Sequence, residues 1–306
     1  MTDERWLVTG ALGCIGAWIT RTLVREGTRV AAFDLGDDVS RLRLIMDPDE
    51  LERVTLVRGD VTHLEQLERA LDRHEVTHMV HLAALLIPLA RADPPRGAVV
   101  NVVGTTNVFE AVKRRRERIR GLAYASSAAV YDVVDADASS RDESAVGHPV
   151  TLYGVHKLAN EGTARVYWLE DELPSIGLRP YIVYGAGRDA GMTADPTLAI
   201  AAALHGEPYT IGWSSPSTFN YAPDVARAFV DAARAAREGA GVYNIPGETV
   251  PMADVVAAID AEVPGAQITY DDVALPFPEE FATGGFPMPV TPLRQGVRET
   301  IELLSR

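Results

Sequence analysis

A single cysteine, Cys14, stands among 306 residues, so no internal disulfide can form and a reducing compartment suits the chain. Seven histidines are scattered without a second thiol nearby, and the spacing predicts no structural metal site. No apolar run approaches the ~20 residues that a membrane-spanning helix needs. The opening stretch MTDERWLVTG is acidic and enters a strand at once, unlike a signal peptide. Positive charge is also scarce: Lys+Arg of 29 against Asp+Glu of 43 leaves −14 at pH 7. That balance argues against a nucleic-acid or anionic-membrane surface. The run KRRRERIR (113–120) is the local exception. It reads either as an RNA or DNA patch or as the solvated end of a helix, where cations suit the C-terminal dipole. The net charge favours the second. A soluble cytoplasmic protein without nucleic-acid or membrane partners is the expectation.

What is present is a large apolar fraction, 47% of residues, enough for one large domain or two lobes. The first half alternates short apolar runs with longer helical patterns. RWLVTG (5–10), TRVAAFD (28–34), RVTLVRGD (53–60), THMVHLAA (77–84) and IRGLAYASS (119–127) read as strands. CIGAWITRTLVREG, DVSRLRLIM, LEQLERALDRH and AVVNVVGTTNVFEAVKRRR between them have helical periodicity. A further helix is predicted over 151–169 and a further strand over 174–185. Strands alternating with helices predict an α/β fold, a doubly wound parallel sheet of the Rossmann type. After Gly185 glycine and proline become frequent, with helices predicted near 196–205, 223–237, 251–263 and 292–305. Residues 1–185 are thus expected to form the nucleotide-binding domain, with 220–245 returning to it. Most of 186–306 would be a smaller substrate-binding lobe.

LVTGALGCIG (7–16) ends the first strand and opens the first helix, with Gly10, Gly13 and Gly16 spaced three apart. Glycine there permits a tight turn and lets main chain approach a pyrophosphate at the helix N-terminus. Asp34 ends the second strand, where a carboxylate accepts hydrogen bonds from ribose hydroxyls and repels a 2′-phosphate. NAD is therefore favoured over NADP, although Arg41 and Arg43 nearby pull the other way. Asp60 closes the third strand and either touches the adenine edge or caps a helix. Cys14 reads as a small apolar filler of the loop. TLYGVHKLAN (151–160) sets Tyr153 and Lys157 four apart, on one helical face. An ammonium beside a phenol favours phenolate, a base for an alcohol proton. An ordinary surface pair has the same spacing.

TGALGCIG, HLAA (81–84), NVVGTTN (101–107), SSAAVYD (126–132), YGVHK (153–157), RPYIVYG (179–185) and YAPDVARAF (221–229) follow one another in a specific order. In that order they resemble the extended short-chain dehydrogenase/reductase, or NAD-dependent epimerase/dehydratase, family over most of the chain. The resemblance implies a catalytic set of Ser127, Tyr153 and Lys157, with Ser126 as the fallback for the serine. Lys157 would lower the Tyr153 pKa and bind the nicotinamide ribose. It implies cofactor contacts from Gly10, Gly13, Cys14, Ile15, Gly16 and Asp34. Others are expected at Asp60, Val61, Leu82, Ala83, Ala84, Pro180 and Val183, besides Tyr153 and Lys157. Asn101 either positions the cofactor or caps a helix, and His156 reads as packing. Family members often pair two helices from each subunit. A homodimer is therefore expected through the helices around 98–115 and 151–169, with VFEAV (108–112) and ARVYWL (164–169) as the contact surface.

Three departures narrow the chemistry. Where dehydratases carry an Asp-Glu pair after the catalytic serine, this chain has Ala128 and Ala129, and elimination of water needs an acid. Ile182 replaces an asparagine that contacts sugar nucleotides in epimerases, and Ser217 replaces an arginine that grips their diphosphate. Both changes point to a substrate without a nucleotide handle. Arg188 is a candidate for binding a carboxylate or hydroxyls through its planar fork. Thr193, Tyr131, Ser126 and ALLIP (84–88) are further pocket candidates. The expected activity is NAD-dependent interconversion of a secondary alcohol and a ketone on a small polyhydroxylated, sugar-like or hydroxy-acid substrate. The alternative is a sugar epimerase that retains its NAD.

Overall fold

The computed structural model describes residues 3–131, 147–279, 281–283 and 285–306; Asp132, which ends the SSAAVYD stretch, lies outside them. The chain begins β1 (Arg5–Thr9), α1 (Cys14–Arg25), β2 (Arg29–Asp34), α2 (Ser40–Ile45), α3 (Pro48–Leu51), β3 (Val54–Arg58), α4 (Leu64–Arg73) and β4 (His78–His81). Helices α5 (Ile87–Ala92), α6 (Pro94–Ala98) and α7 (Gly104–Lys113) lead to β5 (Gly121–Ala125), α8 (Leu152–Asp171) and β6 (Ser175–Arg179). Then come β7 (Ile182–Tyr184), α9 (Asp195–His205), β8 (Tyr209–Ile211), β9 (Ser217–Tyr221), α10 (Ala222–Ala235) and β10 (Ala240–Asn244). The last elements are β11 (Glu248–Val250), α11 (Met252–Glu262), β12 (Ile268–Tyr270) and α12 (Leu293–Leu304).

The large sheet runs β10-β6-β5-β4-β1-β2-β3, each strand parallel to its neighbour. Winding goes outward from β1 in both directions, so β1 and β4 flank the reversal point. In such sheets ligands bind outside the carboxyl ends of those strands. Both faces of the inner strands are covered, which is why those strands read as continuous apolar runs, while edge strand β3 is largely exposed. Along β1, Trp6 and Val8 join the core shared with α1 and α10, while Leu7 joins the core of α4 and α7. Among the described residues no helix is long and apolar enough to cross a membrane.

Several expectations are corrected. The strand expected over 174–185 divides into β6, in the large sheet, and β7, in a small β11-β9-β7 sheet. Pro180 lies between them and has no N–H to continue a ladder. The single helix expected over 98–116 begins as a π-helical turn, Val99–Val103, before α7. The basic run is not simply solvated: Arg114 pairs with Glu68 at 3.0 Å, Arg115 with Asp72 at 2.6 Å and Lys113 with Asp171 at 2.9 Å. It thereby ties α7 to α4 and to the end of α8. In VFEAV, Val108, Phe109, Ala111 and Val112 are core residues at 0–1% exposure, so that stretch cannot supply a subunit contact. The exposed apolar side chains here are Val99, Val103, Leu152, Val155, Val166 and Leu169.

Candidate active site

A cavity of about 720 Å3 opens past the carboxyl ends of β1 and β4, within the size range of small-molecule sites. On the β1 side its wall is main chain. Gly10 has φ +67°, and a Cβ there would lie 2.8 Å from the Ala83 nitrogen. A Cβ on Gly16 would lie 2.2 Å from the Gly10 oxygen. The turn needs glycine at both positions, and it lets α1 start at the cavity with Gly13 as its N-cap. The unpaired N–H groups and the positive dipole end of α1 then face whatever sits there. No acidic residue in the first turn opposes an anion. Asp34 also lines the cavity, its carboxylate fixed by the Leu12 N–H at 3.0 Å and the Gly36 N–H at 3.1 Å. Anion-binding turn and oriented carboxylate together match the pyrophosphate and ribose of NAD.

Cys14, Ile15, Asp60, Val61, Leu82, Ala83, Ala84, Pro180 and Val183 also line the cavity. Asp60 does not cap α4, whose N-cap is His63. Its Oδ1 instead accepts the Thr62 N–H and hydroxyl, both at 2.8 Å. Burial pushes the Cys14 thiol up to about 12, so it stays protonated. Beneath the floor, His81 bridges Thr9 Oγ1 at 2.7 Å and Thr105 Oγ1 at 3.0 Å. Burial first, and the charge of Lys157 second, hold its imidazole down to about 3, so it joins β4 to α7 as a neutral group.

Helix α8 starts at the cavity because Thr151 caps it, accepting the Gly154 N–H at 3.0 Å. Tyr153 and Lys157 therefore project from its first turns into the cavity. Ser127 lines it too, at the start of a short 3-10 turn (Ala128–Val130) after β5. Ser127 and Tyr153 line the same cavity, and Ser127 is among the groups that favour the Tyr153 phenolate. Lys157 Nζ lies 5.4 Å from the centre of the Tyr153 ring and donates to the Ala125 carbonyl at 2.7 Å. Burial lowers the Lys157 pKa to about 8, against the opposing pull of the Glu161 carboxylate. The expected lowering of the Tyr153 pKa is not what the surroundings of that phenol give. Burial drives that phenol up to about 12, and the groups opposing the rise are Arg188 and Ser127.

The far half of the cavity is side chain. Leu86, Ile87, Tyr181, Met192 and Phe277 give it apolar walls, with Arg188 and Thr193 as polar groups. Arg188 Nη2 donates to Thr193 Oγ1 at 3.3 Å, while its Nε has no hydrogen-bond partner among the described residues. The adjacent carboxylate, Asp189, is held at 2.6 Å by Arg41. That pairing also takes Arg41 out of contention as a free cation near the Asp34 carboxylate. Asn101 lies beneath the wall, not on it: its side chain holds the Leu85 N–H at 2.7 Å and the Leu85 carbonyl at 2.9 Å. It is neither a cap nor a cofactor contact but a brace for 84–87, and His156 packs on it at 3.3 Å. Tyr131 is a second correction, since its hydroxyl is buried between Arg179 and Asn244. Ser126 reaches the cavity edge but directs its hydroxyl to Glu161. Ile182 is core, and Ser217 bonds the Ser215 carbonyl. Phe277 and Met192 went unread in the sequence, where no periodicity or spacing marks either.

The sequence model of the NAD dependent epimerase/dehydratase family matches residues 6–246. UDP-glucuronate 4-epimerase 6 of Arabidopsis thaliana is 29% identical over 80% of this chain, which spans only 57% of that relative's length. The UDP-glucose 4-epimerase of Thermus thermophilus, solved as a complex with NAD, is 25% identical with a TM-score of 0.79, covering 99% of each chain. A partial consensus L-threonine 3-dehydrogenase superposes with a TM-score of 0.84 over 98% of this chain and 99% of its own. At 24% identity that last likeness speaks for the fold alone.

Proposed function

Because the chain belongs to the NAD-dependent epimerase/dehydratase family, we propose that it interconverts a secondary alcohol and a ketone on a small hydroxy acid. The observation that supports this reading best is that Ser127, Tyr153 and Lys157 line one cavity together with an Arg188 fork that has no acid partner among the described residues. NAD, held by the glycine turn, Asp34 and Lys157, supplies the hydride acceptor. Ser127 holds the substrate hydroxyl and Tyr153 Oη takes its proton as the carbon is oxidised; the reverse direction returns that proton. The Lys157 ammonium offsets the charge left on the phenolate. Arg188 grips a substrate carboxylate with two charge-assisted hydrogen bonds. The Arg188 cation itself acts on Tyr153 in the direction that favours proton release. Ala128 and Ala129 offer no acid for elimination.

The test is NADH absorbance over a panel of 2- and 3-hydroxy acids, hydroxy amino acids, sugar acids and uncharged sugars, with NAD and NADP in parallel. Turnover of a carboxylate-bearing alcohol is expected, lost by roughly 10²–10⁴-fold in Tyr153→Phe, the range for removing a positioned proton acceptor. Turnover of uncharged sugars alone would refute the carboxylate. Likeness to a UDP-glucuronate 4-epimerase favours a second reading, an epimerase that keeps its NAD. Tightly held stoichiometric NAD with no net NADH from any alcohol would decide for it. A homodimer completes the proposal: Val99 and Val103 on one element and Val155, Val166 and Leu169 on α8 form exposed apolar rows. A monomeric sedimentation mass at micromolar concentration would exclude it.

A further inference from the structure

Behind the site lies a buried ion pair for which the chemistry above has no use. Glu161 is one helical turn beyond Lys157 on α8, and Arg179 ends β6; their side chains are 9% and 4% exposed. The guanidinium meets the carboxylate as a fork, Nε to Oε1 and Nη2 to Oε2, both at 2.7 Å. Ser126 Oγ donates to the same Oε1, and Arg179 Nη1 donates to the Tyr131 hydroxyl. Tyr131 donates onward to Asn244 Oδ1 at 3.0 Å, and Asn244 Nδ2 to the Ala282 carbonyl at 3.0 Å. The Tyr131 ring stacks on Phe281 at 5.0 Å, which meets Tyr181 edge-on at 5.1 Å. Tyr181 in turn meets Phe277 at 6.3 Å, and both of these rings line the substrate half of the cavity.

Burying two charges costs about as much as their attraction returns, so such a pair is weak evidence for stability. What a bidentate fork adds is direction, because its planar geometry fixes both partners in angle as well as distance. Here the partners sit on the helix that carries Tyr153 and Lys157 and on the strand beside Ser126. We propose that Glu161 and Arg179 are positioning residues for the site. Their fork fixes the Ser126–Ser127 strand end against α8 and, through Tyr131, seats the segment bearing Phe277 and Phe281 over the substrate half. This rests on the reading of Ser127 and Tyr153 given above and extends it to groups that never touch substrate.

The test follows Glu161→Gln, Arg179→Lys and the milder Ser126→Ala by hydrogen–deuterium exchange. Turnover of L-threonine and DL-3-hydroxybutyrate with NAD is measured beside it. In Glu161→Gln, peptides covering 126–131 and 275–283 should exchange about tenfold faster while 5–25 is unchanged, as expected for local loss of protection. With either probe, kcat should fall about tenfold while the Kd for NAD holds within about twofold, the signature of lost positioning. Arg179→Lys keeps the charge without the fork and should behave like Glu161→Gln; wild-type behaviour there would overturn the proposal. A folded Glu161→Gln with wild-type exchange at 275–283 overturns it whether or not a probe turns over. Should that variant fail to fold, unchanged exchange at 126–131 in Ser126→Ala does the same, because Ser126 is the strand-end group that the fork holds. Ser127→Ala separates the two levels: no loss there in an active enzyme sinks the reading of the site. A large loss there beside an unaffected Glu161→Gln sinks only the positioning role.

Discussion

Around Gly10 and Gly16 the cavity wall is main chain within one short loop, whereas around Arg188 it is side chain gathered from 85–87, 181, 188–193 and 277. The first half is prescribed by local backbone geometry: one left-handed residue, one close approach of chain to chain, one helix start. The second half has no local prescription. Its residues share a wall only because Pro180 turns the chain out of the large sheet and the segment after β12 folds back across it. A site of main chain tolerates almost no added atom, while a site of converging side chains loses function one group at a time. The two halves should therefore fail differently.

Gly16→Ala tests the main-chain half and should have the largest effect. The new methyl would lie 2.2 Å from the Gly10 oxygen and 2.7 Å from Ala11 Cα. Both atoms are backbone, so the turn itself must open. Overpacking of this kind costs about 1–3 kcal/mol or more in stability. NAD affinity should drop by roughly 100-fold or more, because the helix-end N–H groups no longer converge. Calorimetric titration with NAD and a thermal melt read both; a variant that binds NAD normally would mean that the turn is not the phosphate site.

Arg188→Met is the matching change on the other side. Loss of a charge-assisted contact of about 1.5–3 kcal/mol predicts a rise in substrate KM of roughly 10–100-fold, with NAD affinity unchanged. Removing the cation should also let the Tyr153 pKa climb further, since Arg188 is one of the groups opposing burial. The pH at which turnover rises would then move up. The contrary outcome, weaker NAD binding at unchanged KM, would assign Arg188 to the cofactor half and erase the division.

The same contrast explains what could be read from the sequence. Gly10, Gly16, Asp34, Tyr153 and Lys157 were legible because each sits at a fixed offset from a strand end or a helical turn. The structure brings all five to one cavity. Phe277 was not, because nothing in its own neighbourhood requires an aromatic ring; only the fold places it opposite Tyr181. Asn101 and Tyr131 stand out in the sequence, but their contacts do not follow from it. An asparagine or tyrosine is equally able to face a ligand or to satisfy buried backbone and charge. Here Leu85 claims one, and Arg179 with Asn244 the other. VFEAV failed for a related reason: apolar periodicity shows that a helix has a buried face, not which neighbour covers it.

Lys157 sits where the two halves meet, and it carries the smallest prediction. Its pKa in the folded chain is about 8, below the ordinary 10.5, because burial penalises the ammonium. Between those values the unfolded chain binds more protons than the folded one, so the contribution of this group to stability rises with pH. That contribution is complete above the unfolded value and is lost as pH falls through about 8. Activity should run the other way, since the ammonium that supports the Tyr153 phenolate disappears over the same window. Turnover above pH 8 should decline by up to about tenfold per unit, the limit for losing one essential proton. Over that range the melting temperature of the cofactor-free protein, taken relative to Lys157→Met, should increase. Stability and activity moving together would mean that Lys157 acts as a neutral amine, and the phenolate would then need its positive partner from Arg188, on the substrate side of the cavity.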